Sequence, residues 1–135
     1  MKVKRLLCNC KGLCASFKDT DMNTLPFEVE SELNVEYTML HPQLCGQGGN
    51  AVLAEIMRES ASDPEAYVVV GACAPEAQVK LFKKVMRETG FDEKRFVPLD
   101  IRGTDNEGIL ARLKEKVEAL IKEKEAEPAP STAAA

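Results

Sequence analysis

The sequence has a single histidine, His41, among its 135 residues. Any Cys–His pair must use it beside Cys45, and no third group that could orient it is evident. Capping or packing of a loop is the role read for His41. No two carboxylates stand in a recognisable acid–base arrangement, so no residue is assigned as catalytic. Long apolar runs are missing as well. The longest, AYVVVGACAP, is about half of the roughly 20 residues that a membrane-spanning helix needs. The basic start MKVKRLLC resembles the opening of a signal peptide, but its apolar run stops at Asn9 and Lys11. A cytoplasmic protein with no membrane segment is expected. An excess of positive charge is also lacking. The net charge is −4, whereas phosphate binding wants clustered lysines and arginines, which argues against nucleic acid. Lys80, Lys83, Lys84 and Arg87 share a basic helix face, offset by Glu76 and Glu88, and read as a solvated surface. There is no internal repeat.

What is present is an alternation of short apolar runs with helical periods. VKRLLCN (3–9) reads as a first strand, 22–33 as a helix with Pro26 near its start, and VEYTML (35–40) as a second strand. From 44 to about 60, Val52, Leu53, Ile56 and Met57 mark one face of a helix. AYVVVGAC (66–73) is apolar throughout, as expected of a strand buried on both faces of a parallel sheet. Pro75 then opens a helix with Val79, Phe82, Val85 and Met86 on its apolar face, stopped by Gly90. RFVPLDI (95–101) reads as an edge strand, because Pro98 cannot donate to a ladder. A last helix, about 105–124, carries Ile109, Leu110, Leu113, Val117, Leu120 and Ile121 inward.

Four strands separated by helices predict an α/β protein, a three-layer Rossmann-like fold with a four-stranded parallel sheet. The order 2-1-3-4 places the two most apolar strands in the centre. Residues 1–124 form one domain in this reading, and the Pro/Ala-rich segment 125–135 is a disordered tail.

Five cysteines then carry the functional argument. In a reducing compartment they are metal ligands or redox thiols before they are a disulfide framework. Cys8 and Cys10 close the first strand, Cys45 follows the second, and Cys73 ends the third. All four are expected at the carboxyl edge of one sheet, where open α/β folds bind ligands. Four thiolates suit a tetrahedral zinc or a [4Fe–4S] cube. Structural zinc sites favour two C-x₂₋₄-C knuckles, whereas Cys45 and Cys73 are solitary, and the repeated C-x₂-C of ferredoxins is absent. Metal-free alternatives are a thiol redox enzyme or sensor using Cys8, Cys10 and Cys14. The GQGG stretch after Cys45 puts Gly46, Gly48 and Gly49 at a helix start. Backbone amides there favour an anionic cofactor, although turn geometry alone also explains them. The lysine and hydroxyl of a Walker motif are missing. Arg102, just past the fourth strand, reaches the same edge and reads by default as a surface salt bridge.

These stretches are similar to the N-terminal domain of HdrA, the flavin-containing iron–sulfur subunit of heterodisulfide reductase in methanogens and their bacterial relatives. LLCNCKG resembles the family's strand ending in C-x-C-G. PQLCGQGG resembles its cysteine before a Gly-rich helix start, VVVGACAP its third strand, and LDIR the stretch that leads into N-I-R. The resemblance covers about residues 3–124. It implies a non-ferredoxin [4Fe–4S] cluster held by Cys8, Cys10, Cys45 and Cys73. It also implies electron relay within a complex of flavoprotein or iron–sulfur subunits of anaerobic metabolism, with no substrate turned over by this domain. Cys14 has no counterpart and stands as a spare thiol or an exchanged ligand. The family's Ser-Pro-Arg is Ala74-Pro75-Glu76 here, so a partner contact through that arginine does not carry over. The family's flavin domain and C-terminal ferredoxin cysteines have no counterpart, which implies the N-terminal module alone or a piece of a larger chain.

Overall fold

The computed structural model of the chain describes residues 2–8, 15–33 and 36–126. Strand β1 (Lys2–Cys8) is followed by a 3-10 turn (Ala15–Phe17), helix α1 (Leu25–Glu32) and strand β2 (Tyr37–His41). Helix α2 (Gln47–Ser60), strand β3 (Ala66–Ala72) and helix α3 (Pro75–Thr89) come next. A short 3-10 turn (Glu93–Arg95), strand β4 (Phe96–Asp100) and helix α4 (Asn106–Ala126) complete the described chain. The strands form one parallel sheet in the order β2-β1-β3-β4, as the apolar runs predicted.

The two central strands are apolar on both faces because both faces are covered. Leu6, Cys8, Val68, Val70 and Phe96 pack on α2 and α3 through Leu53, Met57, Phe82 and Val85. Alternate residues, Val3, Leu7, Val69 and Val97, pack on the other face with Leu25, Val29, Ile109 and Leu113 of α1 and α4. The period of two along each strand divides the core into these halves. The result is three layers: helices, sheet, helices.

Several predicted boundaries move by a few residues. Helix α1 begins at Leu25, with residues 22–24 in a turn before it and Pro26 in its first turn. Helix α4 runs to Ala126, and the rest of the expected tail lies outside the described residues. Gly90 ends α3 in the left-handed region at φ 73°, where a side chain would be strained. Pro98 does sit on an edge strand. Two expected core residues are exposed: Val79 at 43% and Ile121 at 40%. Val79 sits at the margin of a buried stripe made by Gln78, Phe82, Val85 and Met86, and Ile121 comes after Val117, the last buried residue of α4.

Arg95 fixes the loop between α2 and β3. Its Nη1 donates to the carbonyls of Ser60 (3.3 Å), Ala66 (3.0 Å) and Asp63, and its Nη2 to that of Ala61 (3.1 Å). Two of these carbonyls end α2, where a cation also meets the negative end of the helix dipole. The guanidinium lies over the Phe91 ring at 4.9 Å from its centroid. Arg95→Met keeps the stem and removes every donor. A stability loss of about 2 kcal/mol is expected from urea denaturation.

Candidate metal centre

A parallel sheet brings all its carboxyl ends to one edge, and three cysteines stand there among the described residues. Cys8 is the last residue of β1 and is 5% exposed. It is paired in register with His41 at the end of β2. Its Sγ lies 3.9 Å from the carbonyl of Pro42, a long, weak contact. Cys73 follows β3 directly and is half-buried. Cys45 is exposed, in the turn between β2 and α2. Cys10 and Cys14 lie outside the described residues.

Cys45 and Cys8 are near enough to act on Cys73. Burial pushes the Cys73 thiol up from its ordinary value, and the charges of Cys45 and Cys8 push it further, whereas a hydrogen bond to its own backbone and Arg102 pull it down. A raised thiol is the wrong direction for a nucleophile. The same direction opposes metal ligation, which also takes the thiolate, so a bound cation would have to displace the proton. Among the described residues no three His, Cys, Asp or Glu side chains converge closely enough to hold a metal ion. The described donors share an edge without forming a closed ligand sphere.

Three further groups shape this edge. Helix α2 starts at Gln47 after Gly46, whose position carries no side chain to cap it. First-turn amides of a helix have no intrahelical acceptor, so they present partial positive charge beside Cys45. The glycines divide by cause. A Cβ on Gly49 would lie 2.1 Å from the Gln43 carbonyl oxygen and 2.4 Å from Leu44 Cα, so close backbone approach demands glycine. A Cβ on Gly48 would meet nothing within 4 Å, and one on Gly46 only the flexible Gln43 side chain. A Cβ on Gly71 would meet the Ile101 and Leu7 side chains at 2.9 and 3.0 Å, so this glycine serves core packing.

Arg102 is held by Asp100, with Nη2 to Oδ2 at 2.9 Å and Nε to Oδ1 at 3.1 Å. The Arg102 guanidinium holds the Asp100 carboxyl below its usual range. Arg112 of α4 donates to the carbonyls of both Asp100 and Arg102, fixing this turn. His41 performs the loop role expected of it, its Nδ1 accepting from the Gln43 amide at 3.0 Å.

One residue here escaped the sequence reading. Gln78, on α3, is fully buried and its Nε2 donates to the carbonyls of Cys73 (2.7 Å) and Leu99 (3.1 Å). It ties the end of β3 to the end of β4. The only signal in the sequence was an amide on the otherwise apolar face of a helix, one turn before Phe82.

Fold and edge together define an α/β protein whose thiols gather where the strands of a parallel sheet end. No protein-family profile matches the chain. It is distantly related to the HdrA subunit of the ferredoxin:CoB-CoM heterodisulfide reductase of Methanosarcina acetivorans, with 31% identity over 93 residues. That match covers 67% of this chain and 10% of the relative, so the chain spans about a tenth of the relative's length. Among the described residues, no helix is long and apolar enough to cross a membrane.

Proposed function

We propose that the chain is an iron–sulfur electron-transfer component of a heterodisulfide-reductase-like redox complex, working in the cytoplasm beside flavoprotein or iron–sulfur subunits. Cys8, Cys10, Cys45 and Cys73 are the ligands of a non-ferredoxin [4Fe–4S] cluster, and Cys14 is the alternate thiol. The observation that carries this reading is that Cys8, Cys45 and Cys73 stand at one sheet edge on three separate segments, with Cys45 and Cys8 near enough to act on Cys73. The distant relationship to a component of heterodisulfide reductase supports the same reading.

When bound, the cluster supplies one-electron chemistry, and the protein sets its potential through hydrogen bonds, charge and burial. The chain's own residues do the positioning. β1 holds Cys8 rigidly in the core, while Gln78 fixes the backbone at Cys73. The amides around Gly46, Gly48 and Gly49 and the charge of Arg102 put positive potential at this edge, which suits an anionic cofactor. Of the three described cysteines, Cys45 alone is exposed, which makes its side of the edge the approach for a partner.

Anaerobic reconstitution tests this directly. A brown protein carrying about four iron and four sulfide per chain is expected, and its colour should bleach on reduction. Cys14→Ala should keep the cluster, whereas Cys10→Ala should lose it. A colourless protein with neither iron nor sulfide would reject the proposal, and one mole of chelatable zinc per chain would replace it with a structural zinc site.

A further inference from the structure

Strand β1 sends two successive cations to opposite faces of the sheet. Lys4 finds partners. Its Nζ donates to Ser60 Oγ at 2.8 Å and lies 6.0 Å from the Tyr37 ring centroid. Arg5, on the α1/α4 face, does not. It is 1% exposed, and its Nε and Nη1 have no hydrogen-bond partner among the described residues. Burial pulls its pKa down to about 10, which leaves the guanidinium charged at neutral pH.

An unpaired buried charge costs several kcal/mol, and proteins seldom keep one without a counter-ion. Arg5 lines a cavity of about 210 Å³ between the end of α1 and the middle of α4. Val3, Val117 and Ile121 make its wall apolar, and Ile121 is the core-patterned residue left 40% exposed. Glu32, Glu118 and Lys114 line it too, all exposed, and among the described residues no ion pair joins either carboxylate to Arg5.

We propose that this cavity is a binding site for a small aliphatic monocarboxylate, its carboxylate on Arg5 and its hydrocarbon along Val117 and Ile121. The lining balances two cations against two carboxylates, so a monoanion leaves it one negative charge in excess, with the Arg5 guanidinium as its direct partner. A dianion such as phosphate would bring a second charge against Glu32 and Glu118. The apolar wall favours a short chain over a bare inorganic ion. Both unpartnered nitrogens are out of contact with solvent, so binding requires the Arg5 side chain to turn toward the cavity when the ligand enters. This site lies on the α1/α4 side of β1 and does not depend on the thiol edge.

Calorimetric titration of the 135-residue chain with butyrate, butyramide and inorganic phosphate tests it. Butyrate should bind saturably and at least tenfold more tightly than either of the others. Arg5→Met should weaken butyrate at least tenfold. Ile121→Trp should do the same by closing the mouth from an exposed position, so it serves even if Arg5→Met fails to fold. Equal binding of butyrate and butyramide, tighter binding of phosphate, or unchanged butyrate affinity in Ile121→Trp would each overturn the proposal.

Discussion

Gly49→Ala is expected to cost about 3 kcal/mol or more of folding stability, as read from the urea midpoint. The added Cβ would overlap Gln43 O and Leu44 Cα at 2.1 and 2.4 Å, distances that no side-chain rotation can relieve. The obstacle is backbone, and Leu44 is itself fully buried. Either α2 moves away from the turn or the turn unwinds, and the turn carries Cys45. Gly48→Ala, one residue earlier, is the control. Nothing stands within 4 Å of its Cβ, and alanine in a helix gains roughly 0.5–1 kcal/mol over glycine. Adjacent glycines should therefore give opposite signs. If both variants destabilise equally, the close approach of α2 to residues 43–44 is wrong.

Cys45→Ala should abolish the reconstituted cluster while leaving the metal-free protein within about 0.5 kcal/mol of its original stability. Of the described cysteines, this is the clean probe. Cys8 is 5% exposed and packs among Leu6, Leu44 and Ala72, so its removal mixes lost packing with lost ligation. Cys73 is half-buried and its own carbonyl is held by Gln78. Cys45 is exposed, so little packing is lost with its side chain. Full iron and sulfide in Cys45→Ala would remove it from the ligand set.

The strand order was readable because burial on two faces leaves a simple mark, an uninterrupted apolar run, and edges leave another, as at Pro98. Helix faces were readable by period but not at the margins of the buried stripe, hence the exposure of Val79 and Ile121. Arg5 and Gln78 were not legible. A period shows which way a residue points, but not whether a polar side chain there will find a partner. The positions of Cys8, Cys45 and Cys73 followed from strand ends alone. Their final approach did not, because it depends on turns whose sequence is compatible with several geometries. Of Cys8, Cys10 and Cys14, only Cys8 lies among the described residues.

The order β2-β1-β3-β4 has a thermodynamic consequence. β1 is the seam of the sheet, with the Cys45 turn leaving from its neighbour on one side and Cys73 from its neighbour on the other. Any ligand shared by those two sulfurs would span the seam like a clasp, joining halves of the sheet that otherwise meet only through β1. Amide hydrogen exchange at the carboxyl ends of β2 and β3 should then slow in step when the site is filled. Exchange around Arg95, at the opposite end of β3, should hardly change. Loading would stiffen the molecule from one edge only.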